Sequence, residues 1–417
     1  MIAKIFKNIG AIVGAYTQGA PERLCGAEMD TLPVLHDAYM TVLGDRITGI
    51  GPMSSFGDVD TDGAAEVVDM QGEWVFPSFC DSHTHVVYAG NRVGEFVDKI
   101  HGLSYEEIAA RGGGILNSAD LLHETSEDDL YRQAMARVDE VMRKGTGAME
   151  IKSGYGLRTD DELKMLRVID RIRRTAPVTV KSTFLGAHAV GREYAGRIDD
   201  YVEMLCTEML PEVGRQGLAD YVDVFCDEGF FTPAHTARIL EAAAKYGLKP
   251  KIHANELAVS GGVQVGVAHD AVSVDHLERA GAEEIEALRG SRTIPTMLPG
   301  ASFFLGMPYG DARGMITAGL PLALASDYNP GSSPSGDMRF VASLGCIRMR
   351  LTPEQALNAV TINGAAAMEL QTSHGAIAPG MKASFFTTAP MPEVAYMLYA
   401  YTTPFISQIW LKGEKIF

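Results

Sequence analysis

Pro77-Ser78-Phe79-Cys80-Asp81-Ser82-His83-Thr84-His85 follows an apolar run, Trp74-Val75-Phe76, and ends in two histidines one residue apart. If the run is a strand, alternate side chains point the same way, so His83 and His85 project together from its end. Two neutral imidazoles on one face suit a single ion such as zinc or iron. A lone His-x-His more often decorates a surface, so its weight depends on what the other strands carry at the same place.

Outward from that stretch, residues 74–370 alternate strand-like and helix-like segments, as a parallel α/β fold requires. Apolar runs mark eight candidate strands: Trp74–Cys80, Gly147–Lys152, Val178–Leu185, Tyr221–Cys226, Lys249–His253, Ala271–Val274, Thr293–Met297 and Pro321–Ala325. Amphipathic stretches lie between them, among them Glu127–Lys144, Asp160–Arg174, Thr232–Tyr246, Ala282–Arg289 and Asp311–Ala318. Eight such units in about 300 residues predict a (β/α)8 barrel of the TIM type, with an open doubly wound sheet as the alternative. The first connection, Val86 to Arg143, is long enough for more than one helix.

Short strands also occur at both ends of the chain. Asp37–Gly44 alternates and turns through Gly44-Asp45 into Arg46–Gly51, and Ala383–Thr388 and Ile406–Leu411 offer matching material near the C-terminus. Neither end has enough chain for a good core alone. The expectation is a composite small β domain of sandwich type, 1–73 and 372–417, beside a barrel at 74–371.

The chain has 417 residues, 46% of them hydrophobic and 21% charged, the balance of an ordinary soluble globular protein. Its net charge of -17 argues against a nucleic-acid or acidic-membrane surface, which would want a basic stripe. Five scattered cysteines without a Cys-x-x-Cys fit reduced thiols in the cytoplasm better than a disulfide framework. Met1–Tyr16 reads as a first strand rather than a leader, and no run reaches the length of a membrane-spanning helix.

Polar residues gather at the C-terminal ends of the candidate strands, where barrel enzymes place their sites. After His83 and His85 come Lys152 to Tyr155, His188, His253 with Glu256, Asp275-His276, and Ser326-Asp327. Three imidazoles and a carboxylate (His83, His85, His253, Asp327) hold one ion and leave room for a water, as catalytic sites require. Glu256, three residues beyond a proposed ligand, is placed to shuttle a proton. His276 is a further ligand, a second acid/base, or a hydrogen-bond partner of the water. Strand four ends in Cys226-Asp227-Glu228 without a lysine, which favours one metal over a lysine-bridged pair. A single strand-end histidine is usually structural; six polar strand ends together point to a metal hydrolase.

This pattern resembles the amidohydrolase superfamily, and along almost its whole length the chain is similar to the imidazolonepropionase family of histidine breakdown. The stretches that carry the resemblance are Asp81–His85, Ala110–Ile115, Glu150–Gly156, Phe184–His188, Val222–Cys226, Lys251–His253, Asp275–Leu277, Leu298–Gly300 and Asp327–Gly331. The resemblance implies hydrolytic opening of 4-imidazolone-5-propanoate to N-formimino-L-glutamate, one zinc or iron on His83, His85, His253 and Asp327, and a homodimer. It implies Glu256, His276 and Asp327 as the catalytic group. It places Arg92, Tyr155, His188, Glu256, Asn329, Gly331 and Ser332 on the substrate. Departures are small: Ser332 stands where a threonine is usual and keeps the hydroxyl, Tyr328 replaces a small residue, and Lys382–Phe386 lacks an acid.

Gly112-Gly113-Gly114 has neither a preceding strand nor a following lysine-serine pair, so it reads as a turn or lid rather than a phosphate loop. Gly261-Gly262 reads as a bend into a helix, and Cys80 and Cys226 as packing thiols. Two rivals stand beside ring opening. One is a deaminase of the same superfamily, which would release ammonia; the other is a barrel scaffold that has lost catalysis and would be expected to lack ligands.

Overall fold

The computed structural model of the chain describes residues 3–59, 63, 66–103, 107 and 113–417. From the N-terminus come β1 (Ala3–Val13), β2 (Val34–Leu43), β3 (Arg46–Pro52), β4 (Glu66–Asp69) and β5 (Trp74–Pro77). The β2–β3 hairpin turns where the sequence predicts, with Gly44 at φ 62°, a conformation that suits a residue without a Cβ.

Eight parallel strands follow: β6 (Phe79–Asp81), β7 (Thr146–Lys152), β8 (Thr179–Ala187), β9 (Tyr221–Cys226), β10 (Lys249–Ala254), β11 (Ser273–His276), β12 (Ile294–Met297) and β13 (Ala323–Leu324). Among the described residues each pairs with the next in chain order, from β6 to β13. β14 (Phe385–Thr388), β15 (Ile406–Leu411) and β16 (Glu414–Lys415) then return to the first sheet, giving the order β16-β15-β14-β5-β1-β2-β3 with β4 on β1. Both ends of the chain thus build one continuous mixed sheet.

One expected strand is corrected. Trp74–Cys80 is not a single strand: Trp74–Pro77 lies between β1 and β14, and only Phe79–Asp81 belongs to the barrel. The chain changes sheets at Ser78, whose N–H donates to Ser384 O, whereas the N–H of Phe79 donates to Gly145 O. Gly147 makes the crossing possible, since a Cβ there would lie 2.2 Å from Ser78 Oγ. Phe386 stacks on Phe76 at 5.4 Å and meets Phe79 at 5.0 Å, joining the two sheets through aromatic packing.

The barrel closes at its C-terminal mouth, just beyond β6 and β13. Thr84 and Tyr328 form a parallel bridge. The N–H of His85 donates to Tyr328 O, and that of Asp327 to His83 O. Asp81 accepts from the N–H of Ser326 at 3.0 Å and from its hydroxyl at 2.5 Å. Three of the four residues proposed from sequence as ligands, His83, His85 and Asp327, therefore sit on the seam itself, while His253 reaches it from β10.

The long first connection holds helices Val93–Ile100, Ile115–Glu124 and Glu127–Arg143. Ser126 caps the third through Asp129 N, and Arg137 on that helix donates to Val86 O and Tyr88 O, pinning the chain just after His85. Of the glycine run, Gly112 lies outside the described residues, as do Ala110 and Arg111 of the same quoted stretch. Gly114, at φ 84°, begins helix Ile115–Glu124. Gly261, at φ 81°, starts helix Gly262–Ala268, the expected bend. Cys80 is fully buried, and burial pushes its thiol above the usual range; the Cys226 thiol goes up to about 11 for the same reason, so both pack as protonated thiols.

Helix Ile362–Ala366 braces β6: Cys80 N–H donates to Val360 O at 2.9 Å, and a Cβ on Gly364 would lie 2.3 Å from Cys80 O. Gly364→Ala is therefore expected to cost about 1–3 kcal/mol through overpacking. Denaturant unfolding checks this, and an unchanged midpoint would contradict the close approach.

Candidate active site

His83 and His85 leave β6 on the same side, with their Nε2 atoms 3.2 Å apart. The rings of His83 and His253, the latter on β10, lie 4.4 Å apart, and one nitrogen from each of His83, His85 and His253 falls within 4.8 Å of the others. Asp327 Oδ1 is 3.6 Å from His83 Nε2 and 3.5 Å from His85 Nε2. Asp327 adopts φ 53° and His276 φ 84°, left-handed conformations that are costly for residues with a Cβ and that cluster at functional sites. His276 also comes within donor distance of His83 and Asp327, so geometry keeps it beside the ligand set.

These donors fit a metal ion. Burial, aided by Lys152 for His83 and by His188 for His85, holds both imidazoles far below their ordinary range, so their lone pairs are free at neutral pH. His83 Nδ1 meets Asp275 Oδ2 at 2.6 Å and His253 Nδ1 meets Asp223 Oδ2 at 3.0 Å. The carboxylate behind His83 puts its proton on Nδ1 and leaves Nε2 to ligate, whereas Asp223 anchors His253 chiefly by accepting from its backbone N–H at 3.1 Å.

Beneath the ligands lies a charge array that sequence reasoning missed. Lys152 Nζ contacts Asp223 at 2.7 Å, Glu150 at 2.6 Å and Asp275 at 3.6 Å, while Lys251 pairs with Glu150 and donates to Ser82 O. All five side chains have no solvent exposure. Three carboxylates against two ammoniums leave one excess negative charge under a cation site. Burial opposes the charge on Lys152, but Asp223, Glu150 and Asp275 outweigh it and hold the ammonium protonated. Lys152 and Asp275 were read at strand ends, and the signal for their partners was the period-2 placement of Glu150 before Lys152, Lys251 before His253 and Asp223 inside runs read as apolar.

Above the ligands opens a cavity of about 340 Å³. Every site residue expected from the sequence lines it except His83, which is buried below. Apolar walls come from Phe225, Phe230, Leu257 and Leu305, and Glu95 and Lys99 add charges that the sequence did not flag. Asp227 accepts from the N–H groups of Glu256, Leu257 and Ala258, fixing the turn that carries Glu256. Burial pushes the Glu256 carboxyl up to about 7; Glu278 and Asp327 add to this and His276 opposes it. Glu256 Oε2 lies 3.5 Å from His276 Nε2, and Glu278 Oε1 lies 3.5 Å from His276 Nδ1. Burial alone would lower His276, but these two carboxylates outweigh it and raise it well above its ordinary value.

His188 Nδ1 faces Gly154 O at 2.9 Å, and burial lowers its pKa to about 3, so the ring is neutral. Arg92 donates from Nε to Ser118 Oγ, its guanidinium lies 5.8 Å from the Tyr155 ring, and its buried Nη2 has no partner among the described residues. A Cβ on Gly331 would lie 2.3 Å from Arg92 Nη1, so the guanidinium rests against bare backbone. Asn329 spends its side chain within its own loop: Oδ1 accepts from the N–H of Gly331 and Ser332, and Nδ2 donates to Asp327 O and Ser332 Oγ. The Ser332 hydroxyl donates in turn to Asp327 Oδ2 at 3.1 Å.

A model of the amidohydrolase family matches residues 114–392. The chain is 50% identical over 395 residues to the imidazolonepropionase of Flavobacterium psychrophilum, covering 95% of each chain. It is 49% identical over 412 residues to that of Flavobacterium johnsoniae, covering 99% of each. Among solved structures, Escherichia coli guanine deaminase superposes with a TM-score of 0.75 at 12% identity, over 100% of this chain and 99% of that one, a likeness of fold alone. The near-full-length relatives carry more than the shared barrel, and by them the chain belongs to the amidohydrolase family and, within it, to the imidazolonepropionases.

Proposed function

We propose that this pocket opens the ring of 4-imidazolone-5-propanoate with water to give N-formimino-L-glutamate, using one zinc or iron ion held by His83, His85, His253 and Asp327. The observation that carries the reading is the buried Nη2 of Arg92, unpartnered among the described residues, in the same cavity as His85, His253 and Glu256. Bound there, the ion would lower the pKa of a water molecule and polarise the ring carbonyl.

The chain's own groups account for the rest. Glu256, with a carboxyl near neutrality, takes the proton given up by the attacking water and returns it to the departing ring nitrogen as the C–N bond breaks. Asp327 shares this relay as the carboxylate beside the water. His276, charged and backed by Glu278, donates to the carbonyl oxygen as negative charge gathers on it. Arg92 takes the propanoate through guanidinium donors, and Tyr155 and His188 bound the ring. Gly331 admits Arg92 to the tail, while Asn329 and Ser332 hold the Asp327 loop against substrate and product. Deamination of a ring is the second reading, since the same fold serves the guanine deaminase.

The enzyme is further read as a cytoplasmic homodimer that binds no nucleic acid. Its five cysteines are all unpaired, as in a reducing compartment, and the dimer rests on the family resemblance. Among the described residues no helix is long and apolar enough to cross a membrane.

Supplying imidazolonepropionate to the metal-replete protein should yield formiminoglutamate without ammonia; ammonia release would favour the deaminase reading. Asp223→Asn should weaken metal retention by about 10–100-fold, followed by chelator competition, because it removes the charge that stands 3.0 Å behind the His253 ring and pairs with Lys152; unaltered retention would reject that support. Glu256→Ala should keep the metal and lose about a hundredfold or more in turnover; near-normal turnover would remove Glu256 from the relay. Arg92→Ala should raise KM for the tailed substrate and spare the ring without its tail, so equal losses on both would exclude the carboxylate contact.

A further inference from the structure

Helix Val93–Ile100 is built inside out. Its outward side chains are apolar, with Val93 63%, Val97 44% and Ile100 66% exposed. The side turned to the cavity carries Glu95 and Lys99, with Arg92 just before the first turn. Spacings of three and four residues put the three on one face. The side chains of Arg92 and Glu95 are only 9% and 14% exposed. A surface helix ordinarily gains stability by burying its apolar stripe. This one keeps a single apolar anchor, Phe96 stacked on Phe304 at 5.6 Å, and otherwise docks through polar groups: Gly114 N–H donates to Glu95 Oε1 at 2.8 Å, Arg92 Nε to Ser118 Oγ at 2.9 Å, and Lys99 Nζ to Gly331 O at 3.2 Å.

Gly331 is where the two cations converge. Arg92 Nη1 lies against its α-carbon and Lys99 Nζ against its carbonyl oxygen. Arg92 also has Glu95 at 3.8 Å, so part of its charge is already answered before any anion arrives. Among the described residues of the helix that line the cavity, two cations stand against one carboxylate, an arrangement that suits an anionic ligand group. Burial lowers the pKa of Lys99, as expected of an ammonium turned from water towards a pocket, with Glu95 opposing and Arg92 adding.

We propose that Lys99 is a specificity-determining residue that binds the carboxylate tail of the substrate together with Arg92, across Gly331. This rests on the ring-opening reading of the pocket. When the tail enters, the ammonium exchanges its bond to a neutral carbonyl for one to a carboxylate, the stronger partner.

The test uses the metal-replete enzyme with 4-imidazolone-5-propanoate and with the same ring lacking the tail. Lys99→Met should raise KM for the tailed ring about tenfold or more, with kcat within about twofold and the tail-less ring little affected, the mark of lost uniform binding. Lys99→Arg should restore most of the KM, which a purely structural role would not predict. An unchanged KM, an equal rise for both rings, or a loss confined to kcat would each overturn the proposal. If Lys99→Met fails to accumulate folded, Lys99→Gln against Lys99→Arg carries the same comparison. Wild-type enzyme that leaves the tailed ring intact would instead sink the reading of the pocket, a result separate from any of these.

Discussion

Lys152 has no contact with solvent, so its charge must be answered inside the barrel or not carried at all. It is answered by Glu150, Asp223 and Asp275, and two of these carboxylates stand directly behind His253 and His83. A buried ion pair rarely adds much net stability, because desolvation consumes most of the attraction. Its effect here is directional. With Lys152 in place, Asp223 and Asp275 have fixed positions: Asp275 fixes the tautomer and angle of His83, and Asp223 holds the backbone of His253.

The same economy governs the pocket above. Asp227 spends its carboxylate on three backbone N–H groups so that Glu256 stands where His276 can reach it. Asn329 spends its amide on the loop that carries Asp327. Polar groups that an inventory of pocket linings would assign to a ligand are largely used to hold other polar groups, and the unanswered buried donor of Arg92 is the more informative for it.

Much of this was legible in the sequence because strand ends announce themselves. His83, His85, His253 and Asp327 lie where apolar runs stop, and a barrel gathers those ends at one mouth. Arg92 and Gly331 had no such signal and came only through family resemblance. Glu150, Asp223 and Lys251 were hidden because each sits inside a run that reads as buried strand, where a charge is expected only if something pairs with it. Glu95 and Lys99 were hidden for the opposite reason: periodicity assigns the apolar face of a helix to the interior, and helix Val93–Ile100 reverses that assignment. The break at Ser78 was passed over because Pro77-Ser78 is a brief interruption between the apolar runs Trp74–Phe76 and Phe79-Cys80, and composition does not say which of two sheets a strand will join.

The seam between β6 and β13 has a consequence for how the chain is made. Asp81 and Ser326, which bond across it, are 245 residues apart, and the proposed ligands on either side are separated by almost as much. A nascent chain that has reached β10 owns three imidazoles but no carboxylate to complete the set. The fourth donor arrives only when the last strand has been synthesised and has docked on the first. On the proposed ligand set, tight retention of an ion would double as a test of completeness, passed only by molecules whose barrel has come full circle.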